Sequence, residues 1–270
     1  MPNTNSTFAR SRLASDPVMT VSCVSTEKRE NPMRSPYGLD IIENCLTCPV
    51  REERLFCNLS APAVKALQSI TSSAAYPKSA VLFVEGQNPR GIFILCSGKA
   101  KLSTSSADGK TLILKIAEPG EVMGLSATVS GKPYEVTVEI LEPAQANFVQ
   151  RDAFLKFLAE HGEAALRVAQ QLSSNYHSAY EEIRSLGLSH SAVEKLARLL
   201  LEWSKPENGA GPLRLKLTLT HEEIAQMIGS SRETVSRTMR ELVQKGYIQV
   251  SRKDIVIRNR AALADAAGMS

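Results

Sequence analysis

The sequence has no apolar run long enough to span a bilayer and no signal-type apolar segment behind its N-terminus. These two absences exclude a membrane-spanning or secreted reading and lead to the expectation of a cytoplasmic protein with no membrane partner. Cysteine is sparse: five residues, Cys23, Cys45, Cys48, Cys57 and Cys96. In a reducing compartment such thiols are not expected to form disulfides. Net charge is also small, 32 Lys and Arg against 28 Asp and Glu, or +4. Bulk charge therefore does not argue for a nucleic-acid partner, and any DNA contact must be local. The histidines (His161, His177, His190, His221) are scattered along helical segments. No Ser–His–Asp or paired-carboxylate constellation accompanies them, so an enzyme is not expected. What remains is a chain of 270 residues with 43% hydrophobic content, enough for two domains with a sizeable core.

The strongest local signal runs from Leu217 to Gly246, LTLTHEEIAQMIGSSRETVSRTMRELVQKG. Thr220 followed by Glu223 predicts a capping box, in which each side chain satisfies a backbone N–H at a helix start. Ile224, Met227 and Ile228 follow at helical spacing, and Gly229 is a natural stop. Ser230 and Glu233 suggest a second capping box. The second helix carries Val235, Met239 and Leu242 on one face, and Arg232, Glu233, Ser236, Arg237 and Arg240 on the other. Two short helices, a glycine turn and an Arg-rich outer face form a helix-turn-helix pattern, with the second helix available for a DNA major groove. An ordinary helical hairpin with a solvated charged face is the plain alternative. The agreement of caps, glycine and apolar register weighs against it.

Upstream, the first residues are rich in Ser, Thr, Asn, Pro and Arg without periodicity, which predicts a flexible arm. LSAPAVKALQSITS, 59–72, predicts a short amphipathic helix capped by Ser60, extending to about residue 73. The period then changes to two. AVLFVEG, GIFILCSGKAKLSTS, KTLILKIAEPG, VTVEIL and ANFVQ read as strands up to about residue 150, separated by Gly86, Gly98 and the Asp108-Gly109 turn. Short strands with such turns suggest a small antiparallel barrel or roll. RDAFLKFLAEH predicts a short helix. From about Gly162, the residues Ala165, Ala169, Leu172, Tyr176, Ala179, Ile183 and Leu186 follow in alternating steps of four and three. That is a heptad seam suited to a twin helix, with packing on the chain's own barrel as the alternative. SHSAVEKLARLLLEW predicts another helix, PENGAGP a loop and LRLKL a strand. YIQV and DIVIRN flank Ser251-Arg252-Lys253 as a hairpin wing whose basic tip can touch phosphate.

The segment CLTCPVREERLFC holds Cys45 and Cys48 in a C-x-x-C pair, with Cys57 following after eight intervening residues. The spacing allows one metal centre to bind several thiolates. Zinc wants a fourth N or S ligand, and an iron–sulfur cluster usually takes four cysteines. Cys23 and Cys96 are the remaining thiols, neither at a motif-like spacing. Three unligated thiols near a helix start is the competing reading. Cys96 falls within a strand, where a buried small hydrophobe is the plain reading.

The order of roll, long helix and winged helix-turn-helix, together with GSSRETVSRTMRELVQKGYI, resembles the cyclic-AMP receptor protein/FNR family of transcription regulators. The resemblance covers roughly residues 59–259. It implies an α+β fold with a cyclic-nucleotide-binding-like β-roll, a long dimerisation helix and a C-terminal winged helix-turn-helix. The divisions expected are a flexible arm (1–41), a cysteine segment (42–58), a β-roll sensor (59–150), a dimerisation helix region (151–188) and a DNA-binding domain (189–262). It further implies a homodimer on double-stranded DNA, a palindrome with TGA-like half-sites, and RNA polymerase as a partner. Within the string RETVSR, the family's base-contacting positions fall on Arg232, Glu233 and Arg237, with Ser236 also facing the groove. Arg suits guanine O6 and N7, and Glu accepts from cytosine N4. Thr220, Ser230, Arg252 and Lys253 are the expected phosphate contacts.

The resemblance also divides the sensing question. Cyclic-nucleotide members carry Gly-Glu and Arg-Ser or Arg-Thr pairs around the phosphate. Here Gly124 is followed by Leu125, and Tyr134-Glu135 stands where Arg-Ser would fall, so cyclic AMP is not the expected ligand. Cys45, Cys48 and Cys57 are similar to the first three cysteines of the FNR-type oxygen sensors, implying an iron–sulfur cluster and redox sensing. The barrel cysteine of that branch would align near Asn147, leaving Cys96 or Cys23 as the candidate fourth ligand. Small-molecule sensing in the roll and metal-free thiol sensing remain as alternatives.

Overall fold

The computed structural model describes residues 36–48, 51–52, 54, 56–188, 191–204, 214–216, 219–251 and 254–269. The N-terminal arm with Cys23, the loop at 205–213 and the wing-tip residues Arg252 and Lys253 lie outside the described residues. Among the described residues no helix is long and apolar enough to cross a membrane.

A 3-10 turn at Cys45–Thr47 precedes helix α1 (Ala61–Ser69). Strands β1 (Thr71–Tyr76), β2 (Val81–Phe83), β3 (Gly91–Ser105), β4 (Thr111–Ala117) and β5 (Val122–Met123) follow, then helix α2 (Leu125–Ser130) and strand β6 (Thr137–Gln150). They form one antiparallel six-stranded sheet of order β1-β6-β3-β4, with β2 added to β6 and β5 to β3. The architecture is the expected α+β roll, with two local corrections. The first helix ends at Ser69 rather than near residue 73, because Thr71–Tyr76 pairs with β6 from Thr71↔Val149 to Tyr76↔Ala144. VTVEIL and ANFVQ are one strand rather than two. Pro143 and Ala144 stand opposite Gly98 alone, so β6 passes the proline as a bulge. Gly98 is at φ +79, and a Cβ there would lie 2.5 Å from the Pro143 carbonyl oxygen. Only glycine permits the two strands to approach so closely.

The continuous apolar run of β3 has a direct explanation. Successive side chains point to opposite faces of a strand. Phe93 and Leu95 enter the roll interior with Phe83, Met123, Val138 and Ile140. Ile92 and Ile94 point the other way, into a second core with Phe56, Leu59, Val64, Phe154 and Val168. Both faces are covered, so no polar alternation survives.

Helices α3 (Arg151–Glu160) and α4 (Gly162–Leu188) continue from β6. Ala164 and Val168 of α4 are buried against the second core, and Leu172 is partly so. The adjacent stripe is uncovered: Tyr176 is 68% exposed, Tyr180 57% and Ile183 70%. Of the seam expected from the heptad spacing, Ala169, Tyr176, Ala179 and Ile183 are exposed and Ala165 and Leu172 partly covered, while the side chain of Leu186 lies outside the described residues.

The C-terminal half comprises α5 (Ala192–Trp203), β7 (Arg214–Lys216), α6 (His221–Met227), α7 (Arg232–Gln244), β8 (Ile248–Val250), β9 (Asp254–Ile257) and α8 (Arg260–Ala266). A three-stranded sheet of order β7-β9-β8 closes beside the helices. Leu196, Leu200, Ile224, Val235, Leu242, Ile255 and Leu263 build its core. Ile113 of β4 joins that core at 0% exposure, with Ile116 and Leu141 packed at its edge. At the same junction Lys101 Nζ lies 3.1 Å from Glu139 and 3.8 Å from Glu223 of α6. The roll and the helix-turn-helix thus share apolar contacts and a charged bridge.

Candidate functional site

The helix-turn-helix is built by its caps. Thr220 and Glu223 form the expected capping box: the Thr220 hydroxyl accepts from the Glu223 N–H at 3.2 Å, and Glu223 Oε2 accepts from the Thr220 N–H at 2.8 Å. The second box, Ser230 with Glu233, does not form. Gly229 takes a left-handed conformation, φ +61, and the Ser230 N–H donates back to the Ala225 carbonyl at 2.9 Å. This closes α6 with a Schellman-type turn and uses Ser230 in the process. The cap of α7 consequently falls one residue later, where the Ser231 hydroxyl accepts from the Thr234 N–H at 3.2 Å.

Helix α7 buries Val235, Thr238, Met239 and Leu242. That fixes its rotation and leaves Arg232, Glu233, Arg237 and Arg240 exposed on the outer face. The Glu233 carboxyl is held below the usual carboxylate range by its own backbone N–H and the Ser231 hydroxyl. It is thereby kept as an ionised acceptor. Arg240 Nε donates to the Ser236 carbonyl at 3.2 Å, which lays that guanidinium along its own helix. Ser236 is half-buried, and its Oγ is 2.9 Å from Nδ1 of His221. The spacing of the string did not disclose this contact, because the two residues belong to different helices. Thr220 is exposed and Ser230 half-buried on the approach to this face.

The cysteine segment is a second candidate site. Gln145, buried in β6, acts as a clasp for the chain ahead of it. Its Oε1 accepts from the Ile42 N–H at 2.7 Å, and its Nε2 donates to the Ile42 carbonyl at 2.8 Å and to Ser73 Oγ at 2.9 Å. Gln68 Nε2 adds a bond to the Glu43 carbonyl at 3.0 Å. Since Gln145 pairs with Ser97 across β3 and β6, the segment carrying Cys45 is pinned one residue from Cys96. Cys45, Leu46 and Cys57 then pack on the Phe56 core.

The four described cysteines are free and half-buried. Burial, then the neighbouring Cys48, pushes the Cys45 thiol up, against the Arg51 guanidinium. Burial followed by Cys48 and Cys45 raises Cys57 to about 11, with Arg54 and Arg51 opposing. Burial followed by Cys45, Cys57 and Cys48 raises Cys96 to about 12, with the Asn147 backbone opposing. Cys45, Cys57 and Cys48 all bear on the Cys96 thiol, which is half-buried within β3. Among the described residues no group of three or more His, Cys, Asp or Glu is arranged to hold a metal ion. Asn147, the position aligned with a barrel cysteine, is buried with Oδ1 unpartnered. Cys23 lies outside the described residues.

In the stretch after Gly124, Tyr134 is buried and stacked on Phe83, with ring centroids 3.9 Å apart. Its hydroxyl accepts from the Arg90 and Gly91 N–H groups and donates to the Gly91 carbonyl at 2.7 Å. Glu135 is exposed and accepts from Ser126 Oγ at 2.6 Å. A separate cleft of about 420 Å³ lies between the roll and α4, lined by Leu102, Leu112, Leu114, Met123, Asn175 and Ile183 among others. The Lys115–Glu121 ion pair, at 2.8 Å, borders it.

Comparison with known proteins bears on both halves. Residues 74–161 match the cyclic nucleotide-binding domain family, and residues 194–266 match the Crp-like helix-turn-helix domain family. The CRP-like cAMP-activated global transcriptional regulator of Mycobacterium tuberculosis (strain ATCC 25618 / H37Rv) is 26% identical over 213 residues, covering 78% of this chain and 94% of that protein. The anaerobic regulatory protein of Bacillus subtilis (strain 168) is 24% identical over 206 residues, covering 75% of this chain and 86% of that protein. The structure of FixK2 from Bradyrhizobium japonicum superposes with a TM-score of 0.65 at 22% identity, over 73% of this chain and 97% of that one, a likeness of fold.

Proposed function

The chain belongs to the CRP/FNR family of DNA-binding transcription regulators and is not an enzyme, and from that premise we propose that it acts as a homodimer reading a palindrome with TGA-like half-sites. Each half-site is read by α7 of one protomer. The observation that carries this reading is the outer face of α7, where Arg232, Glu233 and Arg237 are exposed opposite a fully packed inner face. Arg232 and Arg237 serve guanine O6 and N7, and the ionised Glu233 accepts from cytosine N4. Thr220, Ser230 and the wing residues Arg252 and Lys253 contact phosphate and set register. The exposed stripe of Tyr176, Ala179 and Ile183 pairs with its twin, which holds the two α7 helices one helical turn of DNA apart. RNA polymerase is the downstream partner. Arg232→Ala with Arg237→Ala tests the assignment: binding to the preferred palindrome that survives this double change unaltered would refute it.

The signal is redox, in the manner of the FNR branch. Cys45, Cys48 and Cys57 would hold an iron–sulfur cluster, with Cys23 or Cys96 as the fourth ligand, and the cluster would supply a one-electron, oxygen-sensitive centre when bound. The reading rests on the spacing of Cys45, Cys48 and Cys57; among the described residues no group of three or more potential ligands is arranged to hold a metal, so a cluster requires the segment to rearrange. The protein's own part is to clasp the segment through Gln145 and Gln68 and to back it with Phe56. Anaerobic purification should yield a brown, oxygen-labile protein. A colourless one without iron or acid-labile sulfide refutes the cluster, and stoichiometric zinc that survives air replaces it with a structural site.

Cyclic AMP is not the effector in this reading. Leu125 occupies the position where a carboxylate, and Tyr134 the position where a guanidinium, would engage the nucleotide; Tyr134 is buried and fills the space beside Gly124, and Glu135 follows it where a hydroxyl would stand. A second reading, a small molecule in the roll, rests on the cleft beside α4. Its leucine-rich lining suits an apolar ligand. Calorimetric titration with cyclic AMP that gave saturable binding would overturn the first statement.

A further inference from the structure

We propose that His221 is a specificity-determining positioning residue, which fixes the role of the Ser236 hydroxyl at one base pair of each half-site. The inference rests on the reading of α7 as the DNA-facing helix.

A serine hydroxyl is a poor discriminator by itself. It can donate one hydrogen bond, accept two, and rotate to suit, so it serves either an acceptor or a donor on a base edge. Ser236 does not have that freedom. Its Oγ lies 2.9 Å from Nδ1 of His221, the first residue of α6, fifteen positions earlier in the chain. Both side chains are half-buried between the two helices. His221 is itself held in place by its helix, since Thr220 and Glu223 cap α6 on either side of it. Whichever of the two atoms carries the shared proton, one of the hydroxyl's capacities is committed to the imidazole. Where the hydroxyl donates to Nδ1, only its acceptor lone pairs are left to face the groove; where it accepts from Nδ1–H, it keeps its proton on a fixed rotamer with one lone pair spent. That is the preorganisation by which a neutral hydroxyl gains selectivity rather than raw affinity.

Ser236 is also fixed through its backbone. The Arg240 guanidinium bonds its carbonyl at 3.2 Å, so the turn of α7 that carries Ser236 is braced on the outer side as well. The neighbouring Arg232, Glu233 and Arg237 have no equivalent brace from α6 among the bonds described for them. His221 therefore acts at one position of the recognition face.

The experiment uses the full chain and a panel of duplexes derived from a TGA-containing palindrome, with each base pair of the half-site changed in turn. The variants are His221→Ala, His221→Asn, His221→Gln, Ser236→Ala and the double change to alanine. Asparagine places a polar atom near the position of Nδ1, and glutamine places one near Nε2. His221→Ala and Ser236→Ala should both lose preference at the same base pair, by up to roughly tenfold for one net hydrogen bond. Affinity for the unmodified site should change less, and the double variant should lose no more than either single one. His221→Asn should restore the preference and His221→Gln should not. A uniform loss across all duplexes with a shallower salt dependence marks a phosphate contact and overturns the proposal. So does restoration by glutamine alone, or loss of preference at a different base pair. Thermal unfolding of each variant by circular dichroism identifies any change that comes from misfolding, and His221→Asn then carries the comparison. Wild-type protein that prefers no duplex would refute the DNA-reading assignment itself, a result separable from failure of the His221 pairing.

Discussion

Ile113→Ala measures how firmly the roll and the helix-turn-helix are joined. Ile113 belongs to strand β4, yet its fully buried side chain packs in the core of the C-terminal half. The change removes three carbons. At about 0.8 kcal/mol per buried methylene, transfer alone costs about 2–2.5 kcal/mol. Any cavity left behind adds to this, within the range of about 2–5 kcal/mol known for such truncations. The site lies between two packed bodies that can settle together, which argues for the low end, about 2–3 kcal/mol. Lys101 also bridges Glu139 and Glu223 at the same junction, and that bridge is left intact by the change. If the two halves unfold as one unit, the loss should lower Tm by about 4–12 °C, at 2–4 °C per kcal/mol for a domain of this size. Differential scanning calorimetry reads it directly. A single transition at an unchanged temperature would mean that the junction carries no energy, and that the two halves are coupled only through the chain connecting α4 and α5.

Other outcomes follow from named contacts. Tyr176→Glu with Ile183→Glu places charges on the exposed stripe of α4, and should give monomers by sedimentation with an unchanged helical spectrum. An unaltered dimer would remove α4 as the interface. Gly98→Ala should cost about 1–3 kcal/mol, because a left-handed backbone meets the Pro143 carbonyl; an unchanged denaturation midpoint would contradict the bulge described at that position. Glu163 accepts from the Ser60 N–H at 3.1 Å and from its hydroxyl, and these bonds hold its carboxyl below the ordinary value. A lowered folded-state pKa stabilises while the group is ionised, so the contribution is present at neutral pH and is lost as pH falls through that lowered value. The Tm difference between wild type and Glu163→Gln should therefore shrink on acidification; a constant difference would show that the charge is not what matters there.

Much of the helical part was legible in the sequence because its signals are local. The Thr220 capping box, the Gly229 stop, and the apolar register of Val235, Met239 and Leu242 all lie within a few residues of one another. The cap of α7 was displaced by one residue because Ser230 closes the preceding helix, a choice decided by backbone geometry and open to either serine in the sequence. Strand β1 was missed for a different reason. TSSAAY has neither the alternation nor the β-branched content of a strand, and it pairs because β6 offers it an edge. The contacts least legible in the sequence are non-local. Ile113 looks like any apolar strand residue, since periodicity reports that a face is covered but not by what. The approach of Cys45 to Cys96 requires both the β3–β6 register and the Gln145 clasp on Ile42, neither of which a spacing rule contains. The His221–Ser236 bond joins two helices whose relative placement is a property of the fold.

The sequence preference of α7 is the property on which the proposed function depends most directly. Equilibrium binding of the full chain to a TGA-containing palindrome and to its scrambled counterpart, with stoichiometry determined in the same titration, tests it. The predicted result is two chains per duplex, a clear preference for the palindrome, and a loss of about 1–3 kcal/mol on Arg237→Ala confined to one guanine of each half-site. Equal affinity for both duplexes, or a preference that survives Arg232→Ala with Arg237→Ala, would contradict it.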